Sequence, residues 1–414
     1  MNPRPRILLS AYACEPGRGS EPGVGWNWTR SLSNLVDLTV ITRANNRPII
    51  EAWEADHGSV GVTWVWFDRS EAYLRLKRQL GARWYYRHWQ RELLSVAEDL
   101  HATSPFDAAM HLTMNGFREP GWLWKLPIPF IWGPIGGLQN ASSLLVAPQG
   151  WRRRTIEGIR SRLNRLTAKF ALRPRQAAKA AALVLGANRD SMLWLDGLGL
   201  PSDRCLQMLE AGITAADQSN PAQRDRSSIL WVGSDAHLKN PEFAITAFAA
   251  LRRQETTMTL TMIGIGDTRW AELSTWAKRK GLDTSGILRI RRLPQHDLTQ
   301  HYRRCGQFWF TSYRDTSGNV LLEAMATGAP CIGFDHQGVP AIMPGSTGVR
   351  ITPGEWHSTA QRWAMAAAAY HADVDFADRI GKAAHDLCRG EHRWETKAAT
   401  VVSHLHRILG RPCP

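Results

Sequence analysis

The order of apolar runs and helical patterns along the chain is the feature that most constrains its fold. Short apolar runs at residues 6–13, 36–42 and 60–67 alternate with segments whose apolar residues recur at helical spacing. Strands that alternate with helices predict a parallel sheet with helices on its faces. The same alternation restarts near residue 227. The sequence therefore predicts an α/β protein with two doubly wound parallel sheets.

A polar, helix-poor segment separates the two runs of alternating elements. It includes Asp217-Gln-Ser-Asn-Pro221 and predicts a linker at residues 213–226. We expect an N-terminal Rossmann-like domain at 1–212 and a second Rossmann-like domain at 227–391. A last helix at about 392–410 is placed so that it can cross back onto the first domain. The length of 414 residues fits two domains of ordinary size.

The charge of the chain predicts an anionic partner without choosing its kind. The net charge is +14, and nucleic acid, lipid head groups and a phosphorylated substrate all fit it. Several of the 19 tryptophans lie beside basic residues, as Trp84, Trp89 and Trp151 do. This mixture favours a lipid interface over a groove that reads base sequence, with core packing as the alternative for most of these rings.

Two further features restrict the class of protein. The six cysteines are scattered, with no spacing typical of a metal site or a redox motif. Apolar runs stay well short of the roughly 18 to 20 residues that a membrane-spanning helix needs. We therefore expect a cytoplasmic protein without a structural metal.

The loops that follow the strands are the candidate binding sites, because open parallel sheets bind ligands at the carboxyl ends of their strands. The first such loop runs from Pro16 to Gly25 and contains several glycines that let a backbone approach a ligand. Its glycine spacing does not fit the dinucleotide fingerprint, which argues against a dehydrogenase. A turn without a binding function is the alternative. The candidate residues of this loop are Gly19, Gly23, Val24 and Gly25.

Two loops of the second domain add a possible phosphate contact. After a predicted strand, Gly233 and Ser234 are followed by Lys239, just ahead of a helix. A lysine in this place can pair with a phosphate, although a solvated surface lysine is the alternative. Gly264 and Gly266 follow the next strand and on their own are typical of a simple turn.

The segment 312–330 is the most informative of the candidate loops. Its loop around Gly318 and Asn319 opens a helix, whose first backbone N–H groups suit a phosphate. Glu323, further into that helix, can accept hydrogen bonds from ribose hydroxyls. A helix-stabilising surface glutamate is the alternative, and the apolar residues around Glu323 weaken it.

These residues resemble the signature of the retaining GT-B glycosyltransferases of family 4. That signature has an acidic residue, seven others, a glutamate and an Ala-Met/Leu-Ala-x-Gly-x-Pro tail, which Asp315 to Pro330 matches almost throughout. The resemblance covers nearly the whole chain. It extends to residues 10–28, 130–137, 231–239, 264–266 and 308–313.

The resemblance implies two Rossmann-like domains that face a central cleft, with a nucleoside-diphosphate sugar as donor. Glu323 would hold the donor ribose, Asp315 would contact hydroxyls of the transferred sugar and Lys239 would neutralise the diphosphate. The loop from Gly23 to Gly25 would close over donor and acceptor. Backbone amides at the distal phosphate would come from Ser317, Gly318, Asn319 and Val320, and further donor contacts from Gly233, Ser234, Gly264 and Gly266.

Two departures from the family pattern affect the donor site. The family usually has an arginine where this chain has Ser234, so one charge contact to the diphosphate is missing or comes from another residue such as Arg314. The acidic residue at Asp315 is more often a glutamate, which leaves the identity of the sugar open.

The resemblance also bears on catalysis. A lysine and a helix N-terminus can neutralise the leaving diphosphate, so no metal or other cofactor is expected. The leaving phosphate can accept the acceptor's proton, and a dedicated base is not required. His111 is the candidate polar group of the first domain, with a satisfied buried histidine as the equal alternative.

Basic, aromatic-bearing stretches of the first domain suggest where the acceptor binds. Residues 151–170 alternate basic and apolar side chains at helical spacing, as a helix lying on an anionic membrane would. A solvated basic face is the alternative. The expected partners are a nucleotide sugar, a glycan or lipid-linked acceptor and the inner face of the cell membrane. A nucleotide-sugar 2-epimerase is the enzymatic alternative. A nucleic-acid-binding protein is the alternative from another class, although no nucleic-acid motif supports it.

Overall fold

The computed structural model describes residues 4–114, 116–214, 220–316 and 318–412. The described residues form two compact units. The first comprises those of Met1–Leu138, Arg165–Gly212 and Trp394–Pro414, and the second those of Gln139–Asn164 and Ile213–Arg393.

A seven-stranded parallel sheet forms the centre of the first unit. Its strands are β1 (Arg6–Ser10), β2 (Asp37–Thr42), β3 (Val62–Trp66), β4 (Ala108–His111), β5 (Phe130–Ile135), β6 (Leu183–Gly186) and β7 (Cys205–Gln207). They lie in the order β3-β2-β1-β4-β5-β6-β7, and each neighbouring pair is parallel. Strands β4, β5 and β6 are buried along their whole length, as expected for a sheet covered on both faces.

Among the described residues, eight α-helices accompany this half of the chain. They are α1 (Ser20–Ser33), α2 (Arg47–His57), α3 (Glu71–Leu80), α4 (Ala82–Thr103), α5 (Ser143–Val146), α6 (Trp151–Phe170), α7 (Leu172–Ala180) and α8 (Arg189–Asp196). Helices α3 and α4 are separated at Gly81, whose φ of +89° is a conformation that an α-helix cannot contain.

A six-stranded parallel sheet forms the centre of the second unit. Its strands are β8 (Asp225–Val232), β9 (Thr259–Ile263), β10 (Ile287–Ile290), β11 (Cys305–Phe310), β12 (Cys331–Phe334) and β13 (Val349–Ile351). Their order is β10-β9-β8-β11-β12-β13, and all are parallel. The remaining helices are α9 (Pro241–Arg252), α10 (Asp267–Arg279), α11 (Gln295–Arg304), α12 (Asn319–Ala326), α13 (Val339–Ile342), α14 (Trp356–Ala372), α15 (Val374–Glu391) and α16 (Trp394–Ile408). The predicted α/β class with two doubly wound parallel sheets is confirmed.

One segment groups differently from the domains drawn on the sequence. Residues 139–164 were assigned to the first domain, but they pack with the second sheet. Their side chains bond to the start of α9 in that unit, as Gln149 does to Asn240 and Arg153 to Glu242. Such contacts between distant parts of the chain leave no trace in local sequence pattern. Of the expected linker, residues 215–219 lie outside the described residues.

The tryptophans divide between core and surface. Trp89 is fully buried and packs edge-to-face against Tyr12 at 5.1 Å between ring centroids. It therefore belongs to the core of the first unit, which corrects its expected place at a lipid interface. Trp151 is 71% exposed at the start of α6. In the described residues, no helix is both long and apolar enough to cross a membrane.

A buried lysine fastens α16 to the first unit. Lys397 is 3% exposed and donates hydrogen bonds to the carbonyl oxygens of Leu209 and Ala211. Both acceptors follow β7. The carbonyl groups are buried, so they depend on this ammonium group for a partner.

We expect Lys397→Met to destabilise the first unit by about 2–3 kcal/mol, because the substitution leaves polar groups buried without their charged donor. The unfolding midpoint should fall by several degrees in a calorimetric scan. Lys382→Met removes an exposed lysine of α15 and serves as the control. An unchanged midpoint for Lys397→Met would contradict this account of how α16 is held.

Candidate functional site

The order of strands in the second sheet selects one crevice for ligand binding. Strand order reverses between β8 and β11, and ligands of open α/β sheets bind outside the carboxyl ends of strands at such a point. The loops that follow β8 and β11 meet there. Tyr313 N–H donates to the carbonyl oxygen of Leu238 at 2.9 Å, and the Thr311 hydroxyl donates to that of Lys239 at 2.9 Å.

An ion pair joins the two loops at the crevice. Lys239 Nζ lies 2.5 Å from Asp315 Oδ2, with both side chains about one-fifth exposed. The other carboxylate oxygen of Asp315 accepts a hydrogen bond from Gly318 N–H at 3.1 Å. The structure thus brings together three residues that the sequence analysis assigned to one donor site. The Asp315 carboxylate occupies an anion position between the lysine and the start of α12.

The N-terminus of α12 supplies the backbone donors of this site. Gly318 adopts φ +53°, which directs the chain into the helix that begins at Asn319. No side chain of the described residues caps this helix end, and the first N–H groups of a helix have no partner within the helix. Ser317, also assigned to the phosphate contact, lies outside the described residues.

An open depression of about 200 Å³, which includes space open to solvent, adjoins this helix end. Its lining residues are Phe310, Ser312, Asp315, Thr316, Gly318, His336, Gln337, Gly338, Val339 and Ile342.

Glu323 is held by a tyrosine that the sequence analysis did not identify. Tyr302 at the end of α11 donates its hydroxyl hydrogen to Glu323 Oε2 at 3.0 Å, and Tyr302 is 1% exposed. Burial raises the pKa of Tyr302 well above its usual range, and the nearby Glu323 carboxylate raises it further. The hydroxyl therefore stays protonated and fixes one carboxylate oxygen. No motif marks Tyr302, because the contact joins two helices.

The remaining donor loops of the second unit lie against each other. The carbonyl oxygen of Gly233 lies directly against Gly264, whose φ of +99° and lack of room for a Cβ require glycine. Gly266 N–H donates to Asp235 Oδ1 at 2.7 Å. Ser234 is exposed beside them. Asp235 is a second residue that the sequence analysis did not single out.

The arginines near the crevice are paired with glutamates. Arg314, the suggested substitute for the missing arginine, donates from Nη2 to Glu157 Oε1 at 3.2 Å. Arg153 and Arg269 both donate to Glu242 Oε1, at 3.1 and 2.5 Å. Lys239 therefore differs from these arginines in pairing with a residue of the donor loop itself.

In the first unit, the glycine-containing loop leads directly into α1. Gly19 precedes this helix, and Gly23, Val24 and Gly25 are buried in its first turns. Gly25 packs against the carbonyl oxygen of Ala13, which leaves no room for a side chain. Glu21 of α1 accepts a hydrogen bond from Met114 N–H at 3.0 Å, and burial raises its pKa above the usual range.

His111 ends β4 and is fully buried. Its Nε2 lies 3.1 Å from the hydroxyl oxygen of Tyr86. Burial lowers the pKa of His111 to about 4, so the ring is neutral near pH 7. It offers no exposed atom to a ligand, but its Nδ1 is buried without a hydrogen-bond partner among the described residues, so its hydrogen bonding is only half satisfied.

The second unit matches a known protein family. Residues 226–368, which contain Lys239, Asp315 and Glu323, match the family model described as Glycosyl transferases group 1. Proteins named D-inositol 3-phosphate glycosyltransferase are similar in sequence, at 27% identity over 289 residues for Nocardia farcinica and 29% over 211 residues for Kribbella flavida. The second unit of the chain thus carries the match to the group 1 glycosyltransferases.

The chain aligns with only part of these sequence relatives. The alignment with the Nocardia farcinica protein covers 66% of this chain and 60% of that protein. The alignment with the Kribbella flavida protein covers 48% of each.

Solved structures share the fold over nearly the whole chain. Sucrose-phosphate synthase from Thermosynechococcus elongatus superposes with a TM-score of 0.66 at 16% identity, covering 98% of this chain and 100% of that one. Anabaena HepE in complex with UDP and glucose gives 0.59 at 14% identity, covering 97% and 99%. These superpositions show that the chain has the GT-B fold. At identities this low they do not identify its substrates.

We expect Asp315→Asn to bind inorganic pyrophosphate about two- to five-fold more tightly than the wild type, because the substitution frees Lys239 for a phosphate. A partly exposed ion pair contributes about 0.5–1 kcal/mol, which corresponds to that factor. Isothermal titration with pyrophosphate measures it. Asp378→Asn breaks the similarly exposed Arg226–Asp378 pair in the same unit and is the control. Weaker pyrophosphate binding by Asp315→Asn would mean that Asp315 does not compete with phosphate.

Proposed function

We propose that this glycosyltransferase moves a sugar from a nucleoside-diphosphate sugar to a glycan or lipid-linked acceptor, with retention of anomeric configuration. The proposed role is in the synthesis of cell-surface polysaccharide or a glycoconjugate. The observation that carries the donor assignment is the convergence of Lys239, Asp315 and the N-terminus of α12 at the switch point of the second sheet.

In this proposal the donor lies along α12. Glu323, oriented by Tyr302, accepts hydrogen bonds from the ribose hydroxyls. Amides from Gly318 to Val320 bind the distal phosphate, where the helix dipole favours negative charge. Lys239 pairs with the diphosphate, and Asp315 turns to hydroxyls of the transferred sugar.

The same groups provide the catalytic stabilisation. As the bond between the anomeric carbon and the phosphate oxygen breaks, negative charge grows on the leaving diphosphate. Lys239 and the α12 amides stabilise that charge without moving far, since they are already held in place by the two loops. The leaving phosphate accepts the proton of the acceptor hydroxyl as the new glycosidic bond forms. We therefore propose that the reaction needs no metal.

A thermal-shift panel of nucleoside diphosphates and nucleotide sugars in EDTA tests the donor assignment. A ligand at about 100 times its Kd stabilises a protein by about 2.7 kcal/mol, which raises the Tm by roughly 5–10 °C at this domain size. We expect one nucleotide family to give such a shift, Glu323→Ala to abolish it and Tyr302→Phe to reduce it.

The outcomes of this panel separate the proposal from its alternatives. A shift that persists in Glu323→Ala would contradict the ribose assignment, and no shift with any nucleotide would contradict the donor site. Turnover of the stabilising nucleotide sugar without an acceptor would favour a 2-epimerase. Because sequence relatives are named D-inositol 3-phosphate glycosyltransferase, inositol phosphate belongs among the acceptors assayed.

Helix α6 supports a membrane-bound acceptor. Its exposed side carries an apolar stripe at alternating spacings of three and four residues, with every member at least 53% exposed. The stripe consists of Ile156, Ile159, Leu163, Leu166 and Phe170. Exposed basic residues adjoin it, namely Arg152, Arg154, Arg162, Arg165 and Lys169. We name these two sets the α6 outer face.

An anionic membrane surface is the partner that this face fits best. Apolar side chains enter the boundary between head groups and acyl chains, while neighbouring arginines pair with anionic head groups. Docking would bring the enzyme to a lipid-linked acceptor at the membrane surface.

We expect the protein to co-sediment with vesicles that contain anionic lipid and not with purely zwitterionic vesicles. Arg162→Glu with Arg165→Glu should weaken binding by tenfold or more, because each basic residue near such a surface contributes about 1 kcal/mol. Ile159→Ser should also weaken vesicle binding, because it removes an apolar side chain that would enter the lipid. Leu288→Ser, at another exposed leucine, is the control. Binding that ignores lipid charge would refute the docking proposal.

A further inference from the structure

The loop that carries Asp315 is held by a segment more than a hundred residues earlier in the chain. Gln139 Nε2 donates to Thr316 Oγ1 at 2.5 Å. Gln337 Nε2 donates to the carbonyl oxygen of Asn140 at 2.8 Å, and Gln337 Oε1 accepts from Asp315 N–H at 3.0 Å. Residues 139–164 thus contact Thr316 directly and contact the backbone of Asp315 through Gln337.

An ion pair from α6 adds an electrostatic contact between this segment and the loop that carries Asp315. Glu157 Oε1 lies 3.2 Å from Nη2 of Arg314, and the two side chains are 12% and 23% exposed. Arg160 lies 3.9 Å from the other Glu157 oxygen and also donates to the carbonyl oxygen of Gln139 at 3.4 Å. Glu157 therefore faces two arginines, one of which directly precedes Asp315 in sequence.

We propose that Glu157 is a positioning residue for donor binding, acting on Asp315 through Arg314. The pair is partly buried, so the Arg314 guanidinium depends on Glu157 for charge compensation. With that side chain fixed, the loop keeps Asp315 aimed at its partners. The inference rests on the proposed function, because it takes Asp315 to contact the transferred sugar.

This role predicts a specific split between two ligands. UDP lacks the sugar that Asp315 is proposed to contact, whereas UDP-glucose carries one. Loss of the Glu157 charge should therefore weaken UDP-glucose binding while UDP binding stays nearly constant. A general loss of folding would weaken both ligands together, and release of Arg314 toward the diphosphate would strengthen both.

The test is isothermal titration of the full chain with UDP-glucose and with UDP. For Glu157→Gln we expect the Kd of UDP-glucose to rise about three- to tenfold and that of UDP to stay within twofold. Glu157→Asp should recover part of the loss. Arg314→Gln should reproduce it, and the double variant should lose no more than either single variant, since both changes break one interaction. Asp378→Asn is the matched control.

The outcomes keep this inference distinct from the donor assignment. Equal effects of Glu157→Gln on both ligands, no effect on either, or additive losses in the double variant would overturn the positioning role and leave the donor site standing. If neither ligand bound the wild-type protein, a UDP-sugar donor would be excluded, and this inference would fall with it.

Discussion

The ion pair between Lys239 and Asp315 is the interaction on which the rest of the site depends. It joins the loops that follow β8 and β11, and Asp315 also accepts from Gly318 N–H. Without an anionic ligand, a lysine beside a helix N-terminus would leave positive charge uncompensated. The Asp315 carboxylate supplies that compensation. In the proposed function, a diphosphate replaces the carboxylate at both contacts and frees Asp315 to contact the transferred sugar.

The parallel sheet makes this arrangement possible at a distance in sequence. Trp231 near the end of β8 donates from its buried indole to Thr311, and the Thr311 hydroxyl donates to the carbonyl oxygen of Lys239. This chain of hydrogen bonds fixes the backbone of Lys239 against the end of β11. The ammonium group is flexible on its four-carbon stem, but the backbone of Lys239 is held in place. The fold therefore determines where Lys239 and Asp315 lie, and their side chains supply the charges of the site.

The features that were predicted correctly are those that short stretches of sequence determine. The alternation of strands and helices, the glycine before α12 and the spacing of Asp315 and Glu323 all lie in short stretches of sequence. Tyr302 and Glu157 could not be found in this way, because each acts across a contact between distant elements. His111 was ambiguous because burial, which decides its protonation, is a property of the packed sheet.

Helix α6 departs from the ordinary pattern of a helix on a globular protein. Such a helix buries apolar residues and exposes charged ones, whereas α6 turns Arg153, Glu157 and Asn164 inward and its apolar stripe outward. These inward groups bond within the second unit, Arg153 to Glu242 of α9, Glu157 to Arg314 and Asn164 to Asn140. The outward stripe gains stability only if another apolar phase covers it. The same helix therefore carries both the exposed apolar stripe and Glu157, whose carboxylate accepts a hydrogen bond from Arg314 beside Asp315.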